Sequence, residues 1–368
     1  MSSALRFLQR TRAIAAGAGA PAWQQWFDFW RFRRVTGMSP GEFHRYNLWD
    51  RRRPIEARLA YLSHAEHRII EKALNPAAAV RSLNDKMLTT ERLVAAGIPM
   101  PRVLGVIEGM SPTTGAPSSA SIATALTAIV ASAGDGGIVI KPNRGQGGRG
   151  IEVFPRTGPA GLVRPDGSVI SIAALANLLA NRPVAHWKVE VWLAPHPVTA
   201  QFAPASLSTV RILTFRSRDG RVTTGPAALK LPIDGRGVDN FGAGNLAAAL
   251  DLTTGRLGPG VFADDPGEVA VHPRSGARIE GTIVPQVAAV AQLAVAAAEV
   301  LSELTILGWD IGLTSNGPCL IEGNAWWSEL ILQKPHGCGV VAGRFAELLE
   351  EHGLTRLLDV RRRAAQRW

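Results

Sequence analysis

The segment Ile138-Val139-Ile140-Lys141-Pro142-Asn143-Arg144-Gly145-Gln146-Gly147-Gly148-Arg149-Gly150 is the most informative stretch of the chain. An apolar run ends in a lysine, and a loop with four glycines follows. Residues 151–154 look like a second strand, whereas a dinucleotide-binding fingerprint or a P-loop requires a helix after its glycines. Glycines between two strands let backbone N–H groups approach phosphates closely, and Lys141 adds a positive charge. The segment therefore predicts a phosphate-binding flap, with a ligand-free hairpin as the alternative.

A second informative feature is a pair of apolar runs near the C-terminus, joined by the hairpin signal Ser315-Asn316-Gly317. Asp310 lies on the first run and Glu322 on the second, so the hairpin places the two carboxylates near each other. Asn324 follows Glu322 by two residues and shares its face of an extended segment. Carboxylate and amide oxygens are ligands that Mg²⁺ accepts beside substrate phosphates. These residues predict a metal site, with ordinary polar strand ends as the alternative.

Composition and charge limit the class of protein. The chain has 368 residues, 46% of them apolar, which indicates a globular protein of two or three packed units. The 40 Lys and Arg exceed the 30 Asp and Glu, giving a net charge of +10. Two cysteines cannot form a disulfide framework, so a reducing, cytoplasmic location is expected. The basic N-terminal stretch is too weakly apolar for a secretory signal, although a transit peptide is an alternative.

The chain divides into four regions. Residues 1–80 form a basic helical extension, residues 82–193 and 194–355 mix helices with strands, and residues 356–368 form a basic tail. Residues 1–72 hold thirteen Lys and Arg against six Asp and Glu, a surplus of seven. In the extension, Trp23, Trp26, Phe27 and Trp30 recur at helical spacing. We expect these aromatics to be buried where the extension caps the acceptor side of a cleft. Attachment to an anionic membrane is the alternative, and no motif supports nucleic-acid binding.

Periodicity and turn signals predict the main elements of the two mixed regions. Helices are predicted at 83–96, 287–304 and 340–349, strands at 136–141, 150–154, 209–216, 222–230, 307–314 and 318–322, and a loop at 111–121.

In this order the elements from Asn84 to about Gln333 resemble the ATP-grasp superfamily. A narrower similarity is to the sugar-transfer-associated ATP-grasp proteins, which are related to α-L-glutamate ligases. It rests on many short matches in one order: His196-Pro197, Ser208-Thr209-Val210-Arg211, Val238-Asp239-Asn240-Phe241, Asp251-Leu252-Thr253-Thr254-Gly255, His272-Pro273, Gly308-Trp309-Asp310, Gly317-Pro318 and Glu322-Gly323-Asn324.

The resemblance implies an α/β (α+β) ATP-grasp fold in which two α+β half-domains clasp ATP, with the helical extension in front of them. Region 82–193 would be the half-domain with the phosphate flap, and region 194–355 the half-domain with the magnesium ligands. The implied ATP-binding residues are Lys86, Lys141, Arg144, Gly147, Gly148, His196 and the hinge Glu190, Val191, Trp192 and Leu193. Asp310, Glu322 and Asn324 would hold one or two Mg²⁺, for which Mn²⁺ could substitute. Arg211 and Lys230 are the implied catalytic residues.

The function implied by the resemblance is an ATP-dependent ligase that joins a carboxylate to an amine through an acyl phosphate. Its substrates would be small molecules, including sugar-linked ones, in polysaccharide or cell-surface sugar metabolism. Two alternatives remain at this point: a kinase-like phosphotransferase acting on a hydroxyl, and a nucleotide-binding protein without turnover.

Overall fold

A computed structural model describes residues 3–17, 19–110, 117–134, 136–145, 147–158, 160–233, 237, 239–265 and 267–368, with side chains from Phe7 onward. The helices are α1 (Ser3–Gly17), α2 (Ala22–Thr36), α3 (Pro40–Arg45), α4 (Ile55–Leu59), α5 (His64–Leu74), α6 (Ala77–Leu83), α7 (Lys86–Ala95), α8 (Ser119–Ala133), α9 (Ile172–Ala180), α10 (Pro197–Ala200), α11 (Val287–Val300), α12 (Glu329–His336), α13 (Gly343–Glu351) and α14 (Thr355–Ala365).

The strands are β1 (Val103–Glu108), β2 (Gly136–Pro142), β3 (Glu152–Gly158), β4 (Gly161–Val163), β5 (Val169–Ile170), β6 (His186–Val191), β7 (Thr209–Arg216), β8 (Val222–Leu231), β9 (Leu246–Leu250), β10 (Leu257–Phe262), β11 (Glu268–Val269), β12 (Ile306–Thr314) and β13 (Gly317–Asn324).

Two antiparallel sheets form the body. Among the described residues, the first sheet has the order β1-β6-β2-β3-β4-β5 and the second has the order β11-β10-β9-β8-β7-β12-β13. Helices α8 and α9 bury the first sheet through a core that includes Leu126, Leu175 and Trp187. The second sheet is covered by α11 on one side and by α12 and α13 on the other. Each sheet therefore has its own core, and the edges where the sheets meet are free to form a cleft.

Most predicted elements are confirmed, and the differences lie at their ends. Strand β7 has the predicted bounds, and the hairpin β12–β13 turns at residues 315 and 316. The predicted helix at 83–96 begins only at Lys86, because the Asp85 carboxylate accepts the Leu88 N–H at 3.3 Å and caps a new helix. Helix α11 ends at Val300. The predicted loop at 111–121 lies outside the described residues as far as 116, and α8 begins at Ser119.

The extension packs on the body through α5. Ile70 and Leu74 on α5 join the core between the second sheet, α12 and α13. The Asn75 carboxamide donates to the Ile306 carbonyl at 2.9 Å and accepts from the Thr305 and Ile306 N–H groups. These contacts tie the end of the extension to the first residues of β12.

Helices α1 to α4 share a separate core with α14, which includes Phe32, Phe43 and Leu48. Arg361 on α14 pairs with Glu66 at 2.6 Å, and both side chains are more than nine-tenths buried. The Trp368 ring packs at 4.8 Å from the Phe32 ring. The predicted basic tail is thus a helix packed on the extension.

The expected burial of the extension's aromatic cluster is wrong. Trp23, Trp26, Phe27 and Trp30 are 69%, 40%, 55% and 51% exposed. The helical spacing is correct, but α2 turns its other face to the core, where its fully or nearly fully buried residues are Gln25, Asp28, Phe29, Phe32 and Thr36. None of the helices that the structure describes is long and apolar enough to cross a membrane.

Candidate active site

A cleft of ≈ 310 Å³ lies where the two sheets meet. The first sheet contributes the end of β2 and the glycine loop, and the second contributes β7, β8, β12 and β13. A smaller cavity of ≈ 110 Å³ adjoins the cleft, because both include Lys141, Ile151, Thr209, Asp239 and Ile321 in their walls.

The glycine loop is a flap held over the cleft from two sides. Gly147, Gly148 and Gly150 have φ of 70°, 69° and 78°, a left-handed conformation that favours glycine. The Lys86 ammonium donates to the Gly145 carbonyl at 2.7 Å, and the Asn240 amide donates to the Gly147 carbonyl at 2.6 Å. The flap therefore bridges the N-terminal end of α7 and the loop before β9.

A buried charge cluster lies beneath the flap. Lys141 on β2 and Lys188 on β6 are register partners, and both pair with Glu190 at 2.5 Å. The Lys188 ammonium also donates to the Thr90 hydroxyl at 2.5 Å. Burial raises the pKa of Glu190, but Lys141 and Lys188 outweigh that effect and lower it, so the carboxylate stays ionised. The Glu190 side chain is thus engaged by these lysines, and Lys188 is a site residue that the sequence reasoning missed.

The hinge after β6 lines the smaller cavity. Val191, Trp192 and Leu193 line it together with Val139 and Val153. The walls are largely apolar, which suits a flat organic ring more than a charged group.

A second buried cluster joins β7, β8 and β12. Arg211 and Asp310 are register partners, and the guanidinium binds both carboxylate oxygens at 2.8 and 2.9 Å. Arg211 also donates to the Trp327 carbonyl at 2.7 Å. Lys230 lies 3.1 Å from both Asp310 and Asp239. Burial raises the pKa of Asp310, but Arg211 and Lys230 outweigh it and hold the pKa well below its usual range. Asp239 is a second missed residue, although it lies in a segment that the sequence singled out.

The candidate metal ligands meet across the hairpin. Glu322 and Asp310 are register partners on β13 and β12. The Glu322 side chain is 33% exposed, and its closest cation in the described part of the chain is Lys86, 4.0 Å away. Asn324 donates its Nδ2 to Asp310 at 3.4 Å, which leaves its Oδ1 with no protein donor among the described contacts.

The oxygens of Glu322, Asn324 and Asp310 are of the kind that binds a hard cation, but the three residues are not equally available. Among the residues that the structure describes, Glu322 and Asn324 each offer an oxygen that accepts no hydrogen bond, whereas Asp310 is already ion-paired with Arg211 and Lys230. Within the described residues no three His, Cys, Asp or Glu side chains cluster as metal ligands. A cation here would therefore also need oxygens from a bound phosphate.

Two predicted nucleotide residues do not line either cavity in the part of the chain that the structure describes. Arg144 is 77% exposed at its side chain and pairs with Asp85 at 3.1 Å. The His196 ring accepts the Val198 N–H at 3.1 Å and caps α10. In contrast Arg149, which the sequence reasoning passed over, lines the cleft from the flap.

The far wall of the cleft is supported by the extension. Trp326, Ser328 and Leu330 line this wall, and the His67 ring of α5 stacks on the Trp326 ring at 4.1 Å. His67 also contacts the Glu329 carboxylate at 2.5 Å. Burial raises the pKa of Glu329, but hydrogen bonds from His64 and His67 lower it to about 2. The extension thus supports the part of the cleft wall that follows β13.

The chain matches the family model described as sugar-transfer associated ATP-grasp over residues 66–345. Among solved structures, it is similar to D-alanyl-alanine synthetase A from Vibrio cholerae (14% identity, 77% of this chain and 68% of that chain, TM-score 0.44). It is also similar to N5-carboxyaminoimidazole synthase from Aspergillus clavatus in complex with ADP and 5-aminoimidazole ribonucleotide (12%, 72% and 51%, TM-score 0.39). A third is the D-alanine–D-alanine ligase from Bacillus anthracis (12%, 77% and 69%, TM-score 0.40).

The chain spans about half the length of the Aspergillus synthase, 51%. None of the curated proteins matches the sequence. The two antiparallel sheets with helices in front of them are an α+β ATP-grasp-like fold. The chain belongs to the sugar-transfer associated ATP-grasp family.

Proposed function

We propose that this protein is an ATP-dependent ligase that joins a carboxylate to an amine through an acyl phosphate. The observation that carries the proposal is the cleft itself, which gathers Lys86, Lys141, Arg211 and Lys230 beside Glu322 under one glycine flap. Such a concentration of cations next to a flap of glycine N–H groups suits phosphoryl groups. Membership of the ATP-grasp family supports the same chemistry.

ATP would lie across both cavities. Its base would enter the apolar cavity beside Val191, Trp192 and Leu193, and its phosphates would extend under the flap. The shared wall at Lys141 supports this continuous path, because Lys141 lines both cavities. Lys86 would reach the phosphates from the other side. Arg149 would replace Arg144 as the flap's contribution to phosphate binding.

Glu322 and Asn324 would hold one or two Mg²⁺, with Asp310 as a third, ion-paired neighbour. When bound, the metal would neutralise charge on the phosphate oxygens. The unoccupied oxygens of Glu322 and Asn324 support this assignment.

Arg211 would be the main group that stabilises charge during the reaction. Three of its nitrogens are held by Asp310 and the Trp327 carbonyl, which leaves one N–H each on Nη1 and Nη2 for a substrate. A substrate carboxylate would attack the γ-phosphorus as ADP leaves, and an amine would then displace phosphate from the acyl carbon. Because Arg211 is fixed before substrate binds, it can stabilise the anionic oxygens of both steps without reorganising. Lys230 would assist from β8.

The wall made by Trp326, Ser328 and Leu330 is the region left for the carboxylate and amine, since the hinge and flap would be filled by ATP. The description of the family as sugar-transfer associated supports a sugar-linked substrate in polysaccharide or cell-surface sugar metabolism.

The experiment is a screen for ADP release with MgATP, in which carboxylates and amines are supplied singly and in pairs. A ligase should release ADP fully only with a pair, and mass spectrometry should find a product equal to both substrates minus water. Glu322→Gln is the matched inactive control. ADP release with a single hydroxyl compound that gains the mass of a phosphoryl group would contradict the proposal and indicate a phosphotransferase.

A further inference from the structure

The outer face of α2 carries four of the exposed large hydrophobic side chains of the described residues. At 100° per residue, Trp23, Phe27 and Trp30 form one row along this helix, and Trp26 lies beside the row. The first three are more than half exposed. We use the name aromatic row for all four residues, Trp23, Trp26, Phe27 and Trp30. An exposed cluster of large rings on a helix that also has an apolar inner face calls for a functional reason.

From this arrangement we infer that the aromatic row binds the surface of an anionic membrane. The row continues into Arg34, which lies on the same side of α2, and Arg33 flanks it; both are exposed. Neither has a carboxylate partner among the described residues. Arg31 lies over the rings of Phe27 and Trp368, at 5.4 and 4.0 Å. Rings of Trp and Phe beside arginines match the boundary between lipid headgroups and acyl chains.

The outer face of α2 itself has no acidic side chain. The acid of α2, Asp28, is fully buried on the inner side, where Arg51 and Arg58 pair with it at 2.8 and 3.0 Å. Arg51 and Arg58 are therefore partly neutralised by a buried carboxylate, whereas Arg33 and Arg34 remain at the surface next to the row. Anionic headgroups complement such a face, and each nearby arginine adds attraction that salt screens.

A second copy of this chain is a poorer occupant. A symmetric dimer through α2 would bring the same face of each copy together. Arg33 and Arg34 of both copies would then lie in or beside an interface to which α2 contributes no exposed acidic side chain. The match to the ATP-grasp family begins at residue 66, so the row lies outside it and the inference does not depend on the proposed reaction.

The test is co-sedimentation of the full chain with vesicles of phosphatidylcholine, alone or mixed equally with phosphatidylglycerol. We expect binding to the mixed vesicles that weakens with added salt, and little binding to phosphatidylcholine alone. The variant Trp23→Gln/Phe27→Gln/Trp30→Gln should bind at least about tenfold more weakly. The control Ile69→Gln/Val94→Gln removes side chains that are 58% and 52% exposed on α5 and α7, and should bind like the wild type.

Two further measurements separate charge from apolar contact. Arg33→Gln/Arg34→Gln should lose most of the salt dependence while keeping a residual affinity. Lipids with brominated acyl chains should quench tryptophan fluorescence in the wild type and quench it less in the triple variant. Circular dichroism and thermal melts of each variant establish that its fold is retained, which the exposure of the replaced residues predicts.

Several results would overturn the inference. These are absence of binding to mixed vesicles, equal binding to phosphatidylcholine alone, and binding that the triple variant and the control share. Sedimentation velocity provides the remaining outcome: concentration-dependent dimers that only the triple variant abolishes would assign the row to a second copy instead.

Discussion

Asp310 and Glu322 are register partners across the β12–β13 hairpin, yet removing the charge of each should affect a different property of the protein. Asp310→Asn and Glu322→Gln each convert a carboxylate into an amide of nearly the same shape. We expect the first variant to lose stability, and the second to stay folded while its turnover of ATP falls. The difference follows from what surrounds each carboxylate.

The expected loss of unfolding free energy in each variant follows from how deeply the carboxylate is buried and how it is paired. Asp310 is 3% exposed and accepts from Arg211 at 2.8 and 2.9 Å and from Lys230 at 3.1 Å. Its neutralisation leaves two buried cations, of which Lys230 keeps Asp239 as a paired carboxylate, and breaking such a buried pair costs about 3–5 kcal/mol. Glu322 is one-third exposed and 4.0 Å from Lys86, so its loss costs about 0–1 kcal/mol.

Urea denaturation followed by tryptophan fluorescence measures the first effect, because the fully buried Trp309 and Trp327 lie next to this cluster. ADP release measures the second, and Glu322→Gln should lower it at least about a hundredfold because charge on the transferred group is no longer neutralised. ATP should still bind to this variant through the lysines.

Glu303→Gln is the matched control, since Glu303 is 34% exposed and paired with Arg92 at 2.5 Å, far from the cleft lining. Glu303→Gln should change neither the stability in urea nor the rate of ADP release by much. Equal stability of Asp310→Asn and the wild type would refute the structural role of Asp310. Wild-type turnover in Glu322→Gln would refute the metal assignment.

Three other predictions concern different parts of the molecule. Lys141→Ala should weaken ATP binding at least tenfold, about 1.4 kcal/mol, in calorimetry; unchanged affinity would contradict the phosphate site. Asn240→Ala should free one side of the flap and speed tryptic cleavage after Arg149, with unchanged cleavage as the contrary result. Burial lowers the pKa of His44 from 6.5 to about 4, so the unfolded chain binds its proton more readily. The stability that comes from keeping His44 neutral is fully present above the pKa of the unfolded chain. It is lost as pH falls toward the lower pKa of the folded chain. From about pH 7 to pH 5 the wild type should lose about 2 kcal/mol more stability than His44→Asn in urea titrations, and equal losses would contradict the assignment.

The second sheet and its hairpin could be predicted because local signals and long-range structure agree there. The turn at Ser315-Asn316-Gly317 fixes the register, and the register places Asp310 opposite Glu322. The glycine flap was predictable for the same reason, since its conformations need glycine wherever the loop lies.

Other features depend on contacts that no local pattern encodes. Helix α2 is apolar on both faces, so periodicity identifies the helix but not the face that is buried. On the flap, Arg144 and Arg149 both lie beside glycines, so the sequence does not tell which of them reaches the cleft. The path of the loop places Arg149 in the cleft wall and leaves Arg144 exposed. Lys188 acquires its place because β6 lies beside β2, a pairing that brings it to Lys141.

The contacts of α5 have a consequence for synthesis of the chain. The residue that pairs with His67 lies 262 positions later, and the contact from Glu66 to α14 spans 295 positions. At about 5–20 residues per second, the ribosome needs roughly 13–60 s to synthesise these partners after α5. During that interval Phe32 lacks the Trp368 ring that packs on it in the folded chain, and the outer rings of α2 stay exposed. The nascent extension therefore lacks part of its packing until α14 has been made, and slowed translation lengthens that interval.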